Sequence, residues 1–308
     1  MTSSRLLLCI IGPTGIGKTA LALEVADHFN GEIVSADSRQ IYRGLDIGTG
    51  KPTPDQLARV PHHLIDCVDP DQSFTLAEYQ DAAYTAIDDI FARGKQPLLV
   101  GGTGLYVRAV TEGLIIPAVP PNPELRAQLE ERAAREGGDK LYAELQQIDP
   151  EAALKIDPRN VRRTIRALEV YFASGRKFSE AGQAEPPPFD VQRIGLTLPR
   201  EELYRRVDQR VDEMIARGWL DEVRGLIDRH AEASPALSSL GYPQMSAVLR
   251  GQLTLDDAAQ DIKYHTHRFI RHQYAWFRPA DPRILWFDLL THDVPTIVSK
   301  LDSAFVTR

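Results

Sequence analysis

The 308 residues are 43% hydrophobic and 26% charged, with a formal net charge of -7, a balance that fits one large or two smaller globular domains with ample core. No apolar run approaches a membrane span, and Arg5-Leu6-Leu7-Leu8 leads straight into a glycine-rich turn rather than into a leader with a cleavage site, so neither a membrane protein nor an exported one is expected. The acidic balance excludes a globally basic nucleic-acid binder but not local basic patches, and the two cysteines, Cys9 and Cys67, both in apolar runs, read as core thiols of a cytoplasmic protein.

Leu6 to Ile11 reads as a buried strand, followed by Gly12-Pro13-Thr14-Gly15-Ile16-Gly17-Lys18-Thr19 and a helical pattern from Ala20 to Phe29. Strand, turn and helix stand in the order of a phosphate cradle: glycines let successive N–H groups converge on an anion, and the helix N-terminus adds its dipole. Lys18 would reach the terminal phosphates and the Thr19 hydroxyl would bind Mg²⁺. An ordinary glycine-rich turn is the plain alternative; the full pattern favours phosphate without specifying nucleotide. Ile33 and Val34 read as a second short strand, and Asp37-Ser38 falls just past it, at the edge where parallel sheets bind ligands. Asp37 is then either a turn or cap residue or a catalytic carboxylate, and spacing leaves both open.

His62-His63-Leu64-Ile65-Asp66 reads as another short strand; its paired histidines argue only weakly for a metal, because no second cluster has ligand spacing. Ser73 is a candidate cap for a helix from Thr75 to Arg93 that Gly94 ends, and Gln96 to Val100 is a buried strand before a second glycine-rich turn, Gly101-Gly102-Thr103-Gly104. The alternation predicts an α/β fold, a parallel sheet wound by helices.

The pattern changes after Gly113. A proline-rich linker precedes helical segments at Pro123 to Glu136, Lys140 to Gln147 and Asn160 to Ala173, and Glu185 to Pro188 closes the block. Residues 118–189 are read as a helical insertion into a core made of 1–117 and 190–308. Arg159, Arg162, Arg163 and Arg166 share one broad helical face, either solvated or suited to phosphodiesters. Val191 to Leu198 returns as a strand, Glu201 to Ala216 as a helix closed by Gly218, Leu237 to Tyr242 as a loop, Leu255 to Phe277 as a long helix, and Ile284 to Phe287 as a last strand. From Lys263 to Arg278 the long helix interleaves basic and aromatic residues with no acid, either an amphipathic helix with its aromatics in the core or a surface for stacking on nucleic acid.

Several motifs stand in order: the cradle, Asp37-Ser38-Arg39-Gln40-Ile41-Tyr42, Asp46-Ile47-Gly48-Thr49 with Lys51-Pro52, His62 to Asp66, Gly101 to Tyr106, Arg166-Ala167-Leu168-Glu169-Val170 and Trp276-Phe277-Arg278. Together they resemble the bacterial tRNA dimethylallyltransferase family, from about Leu6 to Phe287. The resemblance implies a P-loop NTPase-like parallel sheet with a mostly helical insertion that contacts tRNA. It implies transfer of a dimethylallyl group from dimethylallyl diphosphate to N6 of the adenosine 3′-adjacent to the anticodon. A cradle of this kind otherwise marks nucleotide- and ATP-binding kinases; a small-molecule kinase, or a prenyl transferase for free adenine nucleotides, is the alternative.

On the resemblance, residues 12–19 (Gly12, Pro13, Thr14, Gly15, Ile16, Gly17, Lys18, Thr19) hold the diphosphate, with Mg²⁺ at Thr19. Asp37 is the base, Thr103 orients beside it, and Lys18 and Arg210 stabilise the leaving group, with Arg206 as the alternative to Arg210. The implied tRNA contacts are Asp37, Ser38, Arg39, Gln40 and Thr103; Arg126, Arg162, Arg163, Thr164, Ile165 and Arg166; Ser239, Leu240, Gly241, Tyr242, Pro243 and Gln244; and Arg271, His272, Gln273, Trp276 and Arg278. A monomer acting on the anticodon stem-loop is expected. Three departures stand out: Gly15-Ile16 where the family commonly has Ala-Ser, Phe269-Ile270-Arg271-His272-Gln273 where Tyr-Ala-Lys-Arg-Gln is usual, and Pro243 where Lys or Arg is usual. The first removes a hydroxyl from the cradle, and the others each remove a positive charge.

Overall fold

Strand β1, Leu6–Ile11, organises the molecule, because its side chains alternate between two cores. Leu8 and Ile10 join one hydrophobic cluster, while Leu7, Cys9 and Ile11 join the other. A strand buried on both faces is the signature of a parallel sheet covered by helices on each side. The computed structural model describes residues 5–117, 119–182, 184–230 and 234–306.

In chain order β1 is followed by α1 (Lys18–His28), β2 (Gly31–Ala36), α2 (Pro54–Arg59), β3 (His62–His63), α3 (Leu76–Ala92), β4 (Gln96–Gly101) and α4 (Gly104–Thr111). Next come α5 (Pro123–Glu136), α6 (Gly138–Ile148), α7 (Pro150–Lys155) and α8 (Val161–Ser174). The chain then runs through β5 (Asp190–Thr197), α9 (Arg200–Ala216), α10 (Trp219–Arg229), α11 (Tyr242–Leu249), α12 (Leu255–Trp276), β6 (Ile284–Asp288) and α13 (Val294–Val306). The sheet has six strands, all parallel, in the order β3-β2-β4-β1-β5-β6. β1 lies between β4, with Ile11 opposite Gly101, and β5, with Ile11 opposite Gly195. The loops after β1, β2 and β4 therefore emerge side by side at one sheet edge. At Gly101 a Cβ would lie 2.2 Å from Ala36 O, so only glycine lets β4 and β2 end this close together.

The chain forms two compact units, one running to Thr111 and resuming at Pro188, the other Glu112–Pro187. The expected insertion began at Ala118, which lies outside the described residues; the second unit begins six residues earlier, at Glu112. That unit has its own core, with Leu129, Leu141, Leu145, Ile156, Ile165 and Leu168 buried together. In the first unit α9, α10, α11 and α12 enclose a further cluster around Trp219 and Tyr242.

Several local expectations are corrected. Thr75, not Ser73, caps α3, because Thr75 Oγ1 accepts Glu78 N while Glu78 returns to Thr75 N, a reciprocal capping box. β3 stops at His63, since Leu64 and Asp66 turn into the left-handed region, with φ of 61° and 52°. Arg159 precedes α8 and pairs with Asp157, so it does not share the helical face of Arg162, Arg163 and Arg166. Cys67 is exposed rather than in the core. The loop expected at Leu237 to Tyr242 overlaps the end of a 3₁₀ turn, Pro235–Ser238, and the start of α11. Pro243 sits in the first turn of that helix, where a missing N–H costs nothing.

Candidate active site

The cradle is built by backbone geometry. Gly12, Gly15 and Gly17 adopt φ of 151°, 74° and 108°, turns that side chains with a Cβ resist. A Cβ on Gly15 would also meet Val207 Cγ1 at 2.3 Å, which fits glycine rather than the alanine usual in the family. Ile16 is fully buried in the core, so its side chain is absent from the cradle while its backbone remains. Lys18 curls back over the turn, its Nζ donating to Gly12 O at 3.0 Å and Pro13 O at 2.9 Å. Burial pushes its pKa down to about 8, with Asp37 opposing that fall and Arg210 adding to it. An ammonium in so enclosed a place lacks a full anionic partner, which an anionic ligand would supply.

Beside it, Asp37 follows β2. Its Oδ1 accepts Arg39 N at 2.9 Å and Gln40 N at 3.4 Å, so it is a turn residue. Among the described residues Oδ2 has no hydrogen-bond partner, and Asp37 lines the cavity. The two readings of Asp37 are therefore compatible: one oxygen orients the carboxylate and the other is left available. Thr103 locks the neighbouring loop, its hydroxyl accepting Ser38 N at 3.1 Å and its own N–H donating to Ala36 O at 3.2 Å. Arg210 reaches in from α9, with Nη2 donating to Gly50 O at 3.4 Å. Its pKa is lowered, first by burial and then by Arg217. Arg206 instead donates to Glu202 at 2.8 Å along its own helix, so Arg210 is the arginine of the cavity.

Lys18, Asp37 and Arg210 share one cavity of about 430 Å³, whose wall also includes Thr19, Gln40 and Gly50, while Thr103 stands outside its lining. Apolar Ala22, Ile33, Ile65, Val100 and Met214 complete it. A wall that holds both cations and aliphatic groups suits an amphiphilic anion. The Thr19 hydroxyl also lines the cavity, and among the described residues it donates to no protein acceptor. No group of three or more His, Cys, Asp or Glu is assembled as a cation cage among the described residues. That donor set fits Mg²⁺, which takes one or two protein oxygens and completes its shell with phosphate oxygens and water. The paired histidines are separately engaged, His62 Nδ1 with Val60 O and His63 Nε2 with Glu32, each at 2.7 Å.

Gln273 holds a place the sequence did not foretell. Expected on the tRNA surface, it is only 4% exposed. Its Oε1 accepts Thr14 N at 2.9 Å and its Nε2 donates to Gly102 O at 3.0 Å, so its amide ties the cradle to the loop carrying Thr103. The other residues expected to meet tRNA divide. Arg271, His272 and Arg278 are exposed on or beside α12, and Trp276 is 42% exposed. Pro243 is exposed, and Arg39, Leu240 and Gln244 are part-exposed, whereas Ser239, Gly241 and Tyr242 are buried. In the second unit Arg162 and Arg163 are exposed, Thr164 and Ile165 are buried, and Arg126 and Arg166 converge on buried Glu169. Spacing alone does not separate these classes, because one helical face holds both core and solvent positions.

Comparison with known proteins shows the family to which the chain is similar. The family model for IPP transferase matches residues 40–280, and that for isopentenyl transferase matches 5–74. A tRNA dimethylallyltransferase of Roseiflexus castenholzii is 53% identical over 96% of this chain and 96% of its own, and one of Thermomicrobium roseum is 52% identical over 94% and 88%. A tRNA isopentenylpyrophosphate transferase from Bacillus halodurans superposes with a TM-score of 0.73 at 38% identity, covering 98% of this chain and 96% of that one. A eukaryotic dimethylallyltransferase solved acting on tRNA gives 0.85 at 26%, covering 99% and 80%.

Proposed function

The chain belongs to the tRNA dimethylallyltransferase family and is a transferase acting on tRNA; we propose that the cavity beside β1 binds dimethylallyl diphosphate and that the acceptor is N6 of the adenosine 3′-adjacent to the anticodon. The observation that carries this is the convergence of Lys18, Arg210 and Asp37 on one cavity at the C-terminal edge of the sheet. The kinase and free-nucleotide alternatives give way because relatives of one named activity match nearly the whole chain, insertion included.

In the reaction the bond between the prenyl C1 and the diphosphate oxygen breaks, and a bond from N6 to that carbon forms. Diphosphate leaves with the electron pair, and the proton lost from the amine passes to the Asp37 carboxylate. An exocyclic adenine amine is a weak nucleophile, so a carboxylate held in place to take its proton lowers the barrier. Asp37 is held by the N–H groups of Arg39 and Gln40. Lys18 and Arg210 meet the negative charge that grows on the departing group, in a site fixed before substrate arrives. The Thr19 hydroxyl would hold Mg²⁺, which would supply charge neutralisation of the diphosphate. The aliphatic wall receives the five-carbon chain. The target base must leave the anticodon-loop stack to reach Asp37, and exposed Arg162, Arg163, Arg271 and Arg278 supply phosphate contacts. The reaction is that of a cytoplasmic monomer, and among the described residues no helix is long and apolar enough to cross a membrane.

The test is incubation with labelled dimethylallyl diphosphate and an unmodified anticodon stem-loop. Label on the adenosine next to the anticodon supports the reading, and label on free adenine nucleotide alone overturns it.

A further inference from the structure

The turn Asp46-Ile47-Gly48 folds three successive N–H groups around one carboxylate. Glu222, in the first turn of α10, accepts Asp46 N at 2.9 Å and Ile47 N at 2.6 Å on Oε2. Its Oε1 accepts Gly48 N at 3.2 Å and the Tyr242 hydroxyl at 2.8 Å. Converging N–H groups form an anion-binding nest, and here the anion comes from the protein itself. A carboxylate in the first turn of a helix ordinarily serves the helix dipole. Asp221 occupies that turn as well and pairs with Arg224, whereas Glu222 makes its bonds to another segment of the chain. Trp219 lies beneath the same turn: a Cβ on Gly48 would sit 2.1 Å from its Nε1. The far end of the segment is pinned by Lys51, whose Nζ donates to Tyr42 O and Asp46 Oδ1, both at 2.7 Å, and to Asp66.

Between these anchors lie Thr49 and Gly50, both in the cavity wall. Gln40 Nε2 donates to their two carbonyls at 3.3 Å, and Arg210 Nη2 donates to Gly50 O. Gly50 has φ of 60°, and a Cβ there would fall 1.9 Å from Arg210 Nη2, so backbone and guanidinium touch. A long side chain held by one fixed acceptor loses less freedom on binding a ligand than a loose one.

We propose that Glu222 is a positioning residue for the diphosphate site: by clasping the 46–48 turn it fixes the Gly50 carbonyl, which in turn aims Arg210. The inference rests on the cavity being the diphosphate site, and the experiment separates the two. Inorganic pyrophosphate, with Mg²⁺, is titrated calorimetrically into the full chain and into Glu222→Gln. The amide replaces one accepting oxygen with a donor, so at least one N–H of the turn loses its partner. Pyrophosphate affinity is expected to fall about tenfold, the equivalent of one charge-assisted hydrogen bond, while tRNA affinity stays within about twofold. A purely structural role would lower the melting temperature and leave the affinity of the folded fraction unchanged. In an Arg210→Ala background the same substitution is expected to cost less than about twofold more, because coupled residues are non-additive. Tyr242→Phe, which removes one of the four donors, gives a smaller loss in the same direction. Affinity equal to the unmodified protein in Glu222→Gln overturns the proposal, as does the full loss persisting without Arg210. Should Glu222→Gln not fold, unchanged affinity in Tyr242→Phe overturns it. If the unmodified protein fails to bind pyrophosphate, the reading of the cavity falls instead.

Discussion

Lys18 makes the sharpest demand on this site. Its pKa is pushed from an ordinary 10.5 down to about 8 by burial, against the attraction of Asp37. A diphosphate beside it favours the charged form, so binding takes up a proton wherever the free enzyme has lost it. Below about pH 7 the ammonium is already present and affinity is flat with respect to this group. At pH 9 about one Lys18 in eleven carries its proton, so affinity for dimethylallyl diphosphate is expected to be about tenfold weaker than at pH 7. The stability of the ligand-free protein moves the other way. Between about 8 and 10.5 the unfolded lysine binds more protons than the folded one, so this group's contribution rises with pH. Calorimetry without tRNA, in buffers of different ionisation enthalpy from pH 6.5 to pH 9.5, reads both affinity and proton uptake without turnover. Lys18→Arg stays charged throughout and is expected to lose the pH dependence, although its planar fork fits poorly between two carbonyls. Constant affinity with no proton uptake up to pH 9.5 would refute the assignment of Lys18 to the diphosphate.

Asp37→Asn is expected to lower kcat by about 10²- to 10⁴-fold, the usual contribution of a general base, with tRNA affinity nearly unchanged; single-turnover transfer and filter binding measure the two, and comparable turnover removes Asp37 from that role. Gln273→Leu keeps volume but strands Thr14 N and Gly102 O, at about 1–3 kcal/mol each. A melting temperature lower by several degrees and weaker diphosphate binding are expected, and an unchanged melting curve would show that the tie carries no energy. Arg163→Ala is expected to weaken anticodon stem-loop binding and to reduce the slope of log K against log salt by about one; an unchanged slope would make this arginine merely solvated.

Much of the first unit was legible in the chain because its signals are local. The apolar run from Leu6 to Ile11 is β1 residue for residue, and the six residues from Gly12 to Gly17 form the turn that their glycines require before α1 begins at Lys18. Three of the insertion's helices stand where periodicity put them, within about two residues. Elements lying close together in sequence were harder. α10, where Trp219 and Glu222 stand, follows α9 after only Arg217 and Gly218, the glycine at φ 97°, a break that reads as an ending rather than a junction.

What the sequence determined by itself was chemical type: a phosphate cradle, an acid past the second strand, arginines in helical register, and the motif order of a tRNA-modifying family. Only the tertiary structure decided which of those groups meet. Gln273 lies 259 residues from Thr14 and Glu222 lies 176 from Asp46, so nothing in their neighbourhoods announces the bond. Arg206 and Arg210 differ by one helical turn, yet one spends its charge on Glu202 and the other faces the cavity. Local pattern reflects backbone preference and periodicity, which act over a few residues. Partnership across the fold depends on packing that brings distant segments to one sheet edge, and no short stretch of chain encodes it.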